Sequence, residues 1–167
     1  MNACVIVGRA NCGKTTFYTN FLRSLGYRDP KGEACPITLR WKRSVKACEL
    51  VDTVSLVDGI LPDAAARAGM ARTLMLLASA YVVIHVVSAP LGAKGFRETT
   101  GAIDLLVSRY ARRRKKYLLL ANKCDLPGAR TGIQELRAEL GDQTIIPISA
   151  TLQTGFHQVQ EYLFNLL

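Results

Sequence analysis

The sequence predicts an α/β fold of three layers, a mostly parallel six-stranded sheet with helices on both faces and one antiparallel edge strand. Three observations carry this. Six strand-like segments (3–7, 38–42, 45–51, 81–87, 117–121 and 144–148) alternate with five helix-like ones (14–25, 63–79, 100–114, 131–140 and 154–166). Two of the strand segments, Ala3-Cys4-Val5-Ile6-Val7 and Leu118-Leu119-Leu120-Ala121, are unbroken apolar runs, as expected of strands covered on both faces. The first run leads straight into a glycine-rich loop and then a helix.

That loop, Gly8-Arg9-Ala10-Asn11-Cys12-Gly13-Lys14-Thr15, fits the phosphate-binding pattern G-x-x-x-x-G-K-[ST] and makes the fold of the P-loop NTPase kind. Consecutive backbone N–H groups and the positive end of the following helix hold several negative charges without a matching number of arginines. Asn11, Cys12, Gly13, Lys14, Thr15 and Thr16 are the candidate phosphate-binding residues. Gly8 and Gly13 permit conformations that a Cβ opposes. Lys14 reaches the β- and γ-phosphates, and the Thr15 hydroxyl binds Mg²⁺. Phe17, Phe21, Leu22 and Leu25 then mark one helical face, and Gly26 stops the helix.

Segments 38–42 and 45–51 are joined by a short turn and form the antiparallel pair. The apolar stretch Leu74 to Val87 is interrupted by Ser79 and His85, so it reads as a helix end followed by a buried strand. Thr131 is the expected N-cap of the fourth helix. The last begins at Thr154, with Phe156, Val159 and Leu163 facing inward.

A second motif names the base. Asn122-Lys123-Cys124-Asp125 fits N-K-x-D and lies at the C-terminal end of a buried strand, where ligand groups of open α/β sheets collect. The Asp125 carboxylate accepts two hydrogen bonds from the guanine ring N–H and exocyclic amine. Adenine lacks that donor pair and leaves the carboxylate unpaired, a basis for strong discrimination. Asn122 braces neighbouring loops, and the Lys123 stem lies along the purine face. After the strand at 144–148, the backbone of Ser149-Ala150-Thr151 can contact the base oxygen. The pair of motifs predicts a GTP or GDP site.

Length and composition set the bounds. The 167 residues suit one domain spanning 1–167, and 49% hydrophobic content argues against disorder. No apolar stretch reaches the ~18 residues of a membrane span. Neither a signal peptide nor a C-a-a-X box is expected, and the location expected is cytoplasmic. Five cysteines show no metal-ligand spacing and read as reduced thiols. The net charge is +9, and the run Arg112 to Lys116 supplies five of the positives. Such a run tracks RNA phosphates or an anionic membrane surface, or is a solvated helix end. His85, inside an apolar strand, reads as a satisfied core residue, and His157 as exposed. Neither has a triad partner evident in the sequence. Trp41 is either a partner-contacting aromatic or half-buried strand packing.

The order of motifs resembles the Era/TrmE type of translation-factor-class GTPases, the MMR/HSR1 G domains, over nearly the whole chain. In that family the loop commonly reads G-R-P-N-[AV]-G-K-S, and Asn11 keeps the asparagine. The resemblance implies that Asn11 is a candidate K⁺ ligand, that Thr38 is the switch threonine closing over Mg²⁺, and that Asp52 holds Mg²⁺ through water. Lys14 and Thr38 are then the candidate catalytic residues. Where the family has D-T-[PA]-G, this chain has Asp52-Thr53-Val54-Ser55, with Asp58-Gly59 as a rival register. Leu56 stands where Ras-like enzymes carry a water-orienting glutamine. The short stand-alone EutP-type GTPases are a near alternative, since Gly13-Lys14-Thr15-Thr16 partly matches their G-C-G-K-T-T.

The function expected is Mg²⁺-dependent GTP hydrolysis, with loops 27–37 and 55–63 as switches and with K⁺, a protein effector or activating partner, or a nucleotide-dependent dimer completing the machinery. Two alternatives stand beside it: an interaction module that binds nucleotide and scarcely hydrolyses it, and a ribosome- or RNA-associated GTPase.

Overall fold

The structure is a computed structural model and describes every residue except 29–31, 58, 60, 62, 93–101 and 142–143. Six strands form one sheet in the order β2-β3-β1-β4-β5-β6. They are β1 (Ala3–Val7), β2 (Ala34–Trp41), β3 (Ser44–Val51), β4 (Val82–Ser88), β5 (Lys116–Asn122) and β6 (Ile145–Pro147). Every pairing is parallel except that of β2 with β3. The helices are α1 (Lys14–Ser24), α2 (Ala64–Ser79), α3 (Ala102–Arg114), α4 (Ala129–Leu140) and α5 (Phe156–Leu166).

The unbroken apolar strands are explained by what covers them. Cys4 and Ile6 of β1, with Ile84 of β4 and Leu118 and Leu120 of β5, face α1 and α5 in one core. Phe17, Phe21 and Phe156 meet there with ring centroids 5.2 to 5.6 Å apart. The alternate residues Val5, Val7, Val83, Val87 and Leu119 face the other core, with Leu77 of α2, Val107 of α3 and Leu136 of α4. In β1, β4 and β5 a period of two therefore sends alternate residues into two cores, while the edge strand β2 keeps an exposed face.

This topology places the site. The chain leaves β1 through α1 towards β2 and β3 on one side, and returns through α2 to β4 on the other. The crevice at the C-terminal end of β1 is therefore the switch point, and the glycine-rich loop lies in it.

Several expected boundaries move. Thr131 is not the N-cap of α4, which starts at Ala129 after Gly128. Thr154 does not start α5; it bridges Ser149, and the helix begins at Phe156 after Gly155. In both places a glycine with φ +81° turns the chain, and a backbone device replaces the side-chain cap. Strand β2 begins at Ala34 rather than residue 38, so the last four residues of the expected first switch loop, 34–37, are sheet. Its pairing with β3 runs from Ala34↔Val51 to Trp41↔Ser44. The start of the expected helix 100–114 and Asp58 of the rival register lie outside the described residues. Among the described residues no helix is long and apolar enough to cross a membrane.

At Gly132, in the first turn of α4, an added Cβ would stand 1.8 Å from Ala89 O in the turn that follows β4. We expect Gly132→Ala to destabilise the fold by about 1–3 kcal/mol, the usual cost of overpacking, measured by denaturant unfolding.

Candidate nucleotide-binding site

The loop from Gly8 to Thr15 wraps a cleft of about 750 Å³ lined by Asn11, Gly13, Lys14, Thr15, Thr16, Glu33, Asp52, Thr53, Val54, Ser55 and Lys123. Gly13, at φ +93°, is the residue before α1, so the free N–H groups of the first helical turn open on this cleft. Lys14 is buried, and its Nζ donates to Arg9 O at 2.8 Å and to Ser55 Oγ at 2.9 Å. Thr15 Oγ1 donates to Asp52 Oδ2 at 2.7 Å. Burial raises the Asp52 carboxyl above its ordinary value, while the Thr15 hydroxyl and the Lys14 ammonium pull it down. Burial likewise raises the Cys12 thiol, and Lys14 opposes it.

The two motifs are physically joined. Asn122, buried at the end of β5, donates from Nδ2 to Cys12 O at 2.8 Å, across 110 residues of chain. Its Oδ1 accepts from Ala150 N–H at 2.9 Å. The approach is possible because Gly13 has no side chain; a Cβ there would lie 2.3 Å from Asn122 Nδ2. Cys124 N–H donates to Ile148 O at 3.0 Å, which ties the N-K-x-D turn to the segment after β6. Lys123, at φ +65°, lines the cleft. Asp125 is exposed on the same turn. Ser149 and Ala150 are buried and Thr151 is exposed. Asn20 Nδ2 of α1 donates to Ala150 O at 2.9 Å, so that loop is pinned from both sides.

One expected member is not brought here. Thr38 sits within β2 opposite Ala47, its N–H donating to Tyr27 Oη at 3.0 Å, and it does not line the cleft. Strand pairing fixes its distance from the strand ends, and among the described residues of that part of the chain Glu33 reaches the cleft. Glu33 accepts at its backbone O from Asp52 N–H at 2.7 Å, and its carboxylate pairs with Arg72 of α2 at 2.9 Å. Its place depends on where β2 begins, for which the sequence carries no signal. Leu56 also differs from a solvent-side switch residue. It is buried, donates its N–H to Gly8 O at 3.1 Å and bridges Arg9.

His85 is a satisfied core residue, as the apolar strand suggested. Its partners are Asp104 of α3, 2.9 Å from Nε2, and Tyr117 of β5, whose hydroxyl lies 2.8 Å from Nδ1. Burial raises the Tyr117 hydroxyl. His157 is exposed, with its ring centroid 5.0 Å from that of half-buried Trp41. Arg112, Arg113 and Arg114 are exposed at the end of α3, beside the N-terminal end of β5 and therefore opposite the cleft. Lys115 Nζ donates to Ala78 O at 2.6 Å, and Lys116 Nζ donates to Tyr81 Oη and to Leu166 O.

A phosphate loop at the switch point of a largely parallel sheet, braced by a base-reading turn, defines a P-loop nucleotide-binding protein of the G-domain class. The chain belongs to the 50S ribosome-binding GTPase family, whose model matches residues 3–123. It is 28% identical to the tRNA modification GTPase MnmE of Desulforamulus reducens, over 98% of this chain and 34% of that protein. It is also 28% identical to the GTPase Der of Methylacidiphilum infernorum, over 99% of this chain and 35% of that protein. The chain thus spans about a third of the length of the curated relatives it matches. A crystal structure of Era in complex with MgGDPNP and a stretch of 16S ribosomal RNA shares the fold, with a TM-score of 0.75 at 18% identity. That likeness covers 99% of this chain and 56% of Era.

Proposed function

We propose that this chain is a nucleotide-operated switch that binds GTP and GDP in the cleft, selects guanine at Asp125 and hydrolyses GTP slowly to GDP and phosphate. The observation that carries the reading is the Asn122 amide, which joins Cys12 O in the phosphate loop to Ala150 N–H in the 149–151 loop. Three segments with roles towards one ligand are thereby locked together. The α1 N-terminus, the loop amides and Lys14 stabilise charge on the transferring phosphoryl group.

Thr15 Oγ1 and Asp52 are fitted to Mg²⁺ by chemistry, being hard oxygen donors facing the cleft, one of them a carboxylate deprived of water by burial. When bound there, Mg²⁺ supplies neutralising charge to the β- and γ-phosphate oxygens. Asn11, at φ +60° and lining the cleft, is the candidate K⁺ ligand.

Among the described cleft residues none is placed as a general base. Asp52 is engaged by Thr15, and Glu33 by Arg72. Leu56 is committed to the core. Hydrolysis without a further charge-stabilising element is expected at about 10⁻⁴ to 10⁻² s⁻¹. K⁺, an activating protein or a second copy of the chain would supply that element.

A second reading adds RNA contact at the far end of the sheet, through Arg112 to Lys116. The exposed arginines favour it, as do the family's description and the RNA held by Era. Charge of this kind binds phosphates without reading sequence.

Calorimetry tests the nucleotide reading. GTP and GDP should bind and ATP should not, and Asp125→Asn should shift the preference from guanine towards xanthine nucleotides. Equal affinity for ATP would overturn it. In single-turnover hydrolysis, K⁺ should exceed Na⁺ by 10-fold or more, on the order of a modest share of what an arginine finger contributes. Equal rates remove the K⁺ role, and no turnover in either salt leaves a binding module. For the RNA contact, affinity in filter binding should fall with added salt. Replacing Arg112 to Arg114 with glutamine should flatten the log–log salt slope by about 2 to 3.

A further inference from the structure

The Lys14 ammonium carries three N–H donors. Two of them are committed within the chain, to Arg9 O at 2.8 Å and to Ser55 Oγ at 2.9 Å. Lys14 and Ser55 both line the cleft. Ser55 is held in place by its surroundings. Its neighbour Leu56 is buried, with its N–H donated to Gly8 O and a bridge to Arg9. Two residues earlier, Thr53 Oγ1 donates to Ile6 O at 2.7 Å. The segment from Thr53 to Leu56 is therefore fastened along β1 and the phosphate loop, with the serine hydroxyl at the lysine.

We infer that Ser55 is a specificity-determining residue that biases this site towards GDP over GTP. The inference rests on the guanine-nucleotide reading above. It follows from counting donors. Arg9 O, Ser55 Oγ and a β-phosphate oxygen use all three N–H groups, so a diphosphate binds with the serine contact intact. A γ-phosphate asks for a fourth, and one partner must yield. Arg9 O belongs to the phosphate loop itself, so Ser55 is the partner displaced.

A glycine at this position offers no hydroxyl to compete. The competition is therefore a property of the serine. The apparent affinity for a triphosphate falls by the fraction of molecules in which Lys14 is already released, and the affinity for a diphosphate is untouched.

Equilibrium titration of fluorescent GDP and of non-hydrolysable GMPPNP, with Mg²⁺, tests this on the wild type, Ser55→Ala and Ser55→Thr. GDP affinity should be equal across the three. Ser55→Ala should tighten GMPPNP about tenfold, the low end of what a hydrogen bond to a charged donor contributes. Ser55→Thr keeps the hydroxyl and should keep the wild-type ratio. An unchanged ratio in Ser55→Ala overturns the inference. Weaker GMPPNP binding in that variant also overturns it, because the hydroxyl is then a γ-phosphate donor. If Ser55→Ala does not fold, Ser55→Gly carries the same expectation. Failure of the folded wild type to bind either nucleotide would instead sink the guanine-nucleotide reading itself.

Discussion

One buried side-chain amide holds the site together. Asn122 reaches from the end of β5 to the phosphate loop on one side and to the segment after β6 on the other. An amide suits this place because it donates and accepts at once, whereas a carboxylate only accepts. Each of these hydrogen bonds contributes about 1 kcal/mol net, but leaving Cys12 O or the Ala150 N–H buried and unpaired would cost about 1–3 kcal/mol apiece. The geometry has a second requirement. Gly13 must lack a side chain, because its Cβ would stand 2.3 Å from the Asn122 amide nitrogen. One motif's glycine thus makes room for the other motif's asparagine.

The sheet makes this bridge possible at low cost. Its parallel strands deliver the loops after β1, β4, β5 and β6 to one end, and the two cores on its faces hold those ends rigid. Backbone groups positioned by such a frame need little reordering when a ligand arrives, which is what favours tight phosphate binding by amides alone. The opposite end carries the exposed arginines, so the two candidate surfaces do not compete for space. The His85–Asp104–Tyr117 group belongs to the frame. It satisfies polar atoms between α3 and the strands β4 and β5, and it lies within the core.

The segment after β3 is where this chain departs from its family. Thr53, Ser55 and Leu56 each bond to the phosphate loop or to β1, so the start of the segment 55–63, expected as a switch, is fastened. Ser55, where the family pattern has glycine, sets a hydroxyl on the phosphate-loop lysine. On the reading proposed above, that departure lies where a triphosphate differs from a diphosphate.

Local sequence was enough for whatever depends on local chemistry. The apolar runs of β1 and β5, the α1 face of Phe17 and Phe21, the phosphate loop and the N-K-x-D turn were all legible, because each is a short pattern whose physical requirement is met within a few residues. Thr38, Glu33, Thr131 and Thr154 were misplaced or missed, because their positions follow from strand register and glycine turns, which are settled by pairing partners far away in the chain. The bond from Ser55 to Lys14 spans 41 residues and the one from Asn122 to Cys12 spans 110, and no window of sequence contains either. Residue type told which groups could serve a nucleotide. Only the packing of the sheet, through the crossover that brings distant strand ends into one crevice, decided which of them meet.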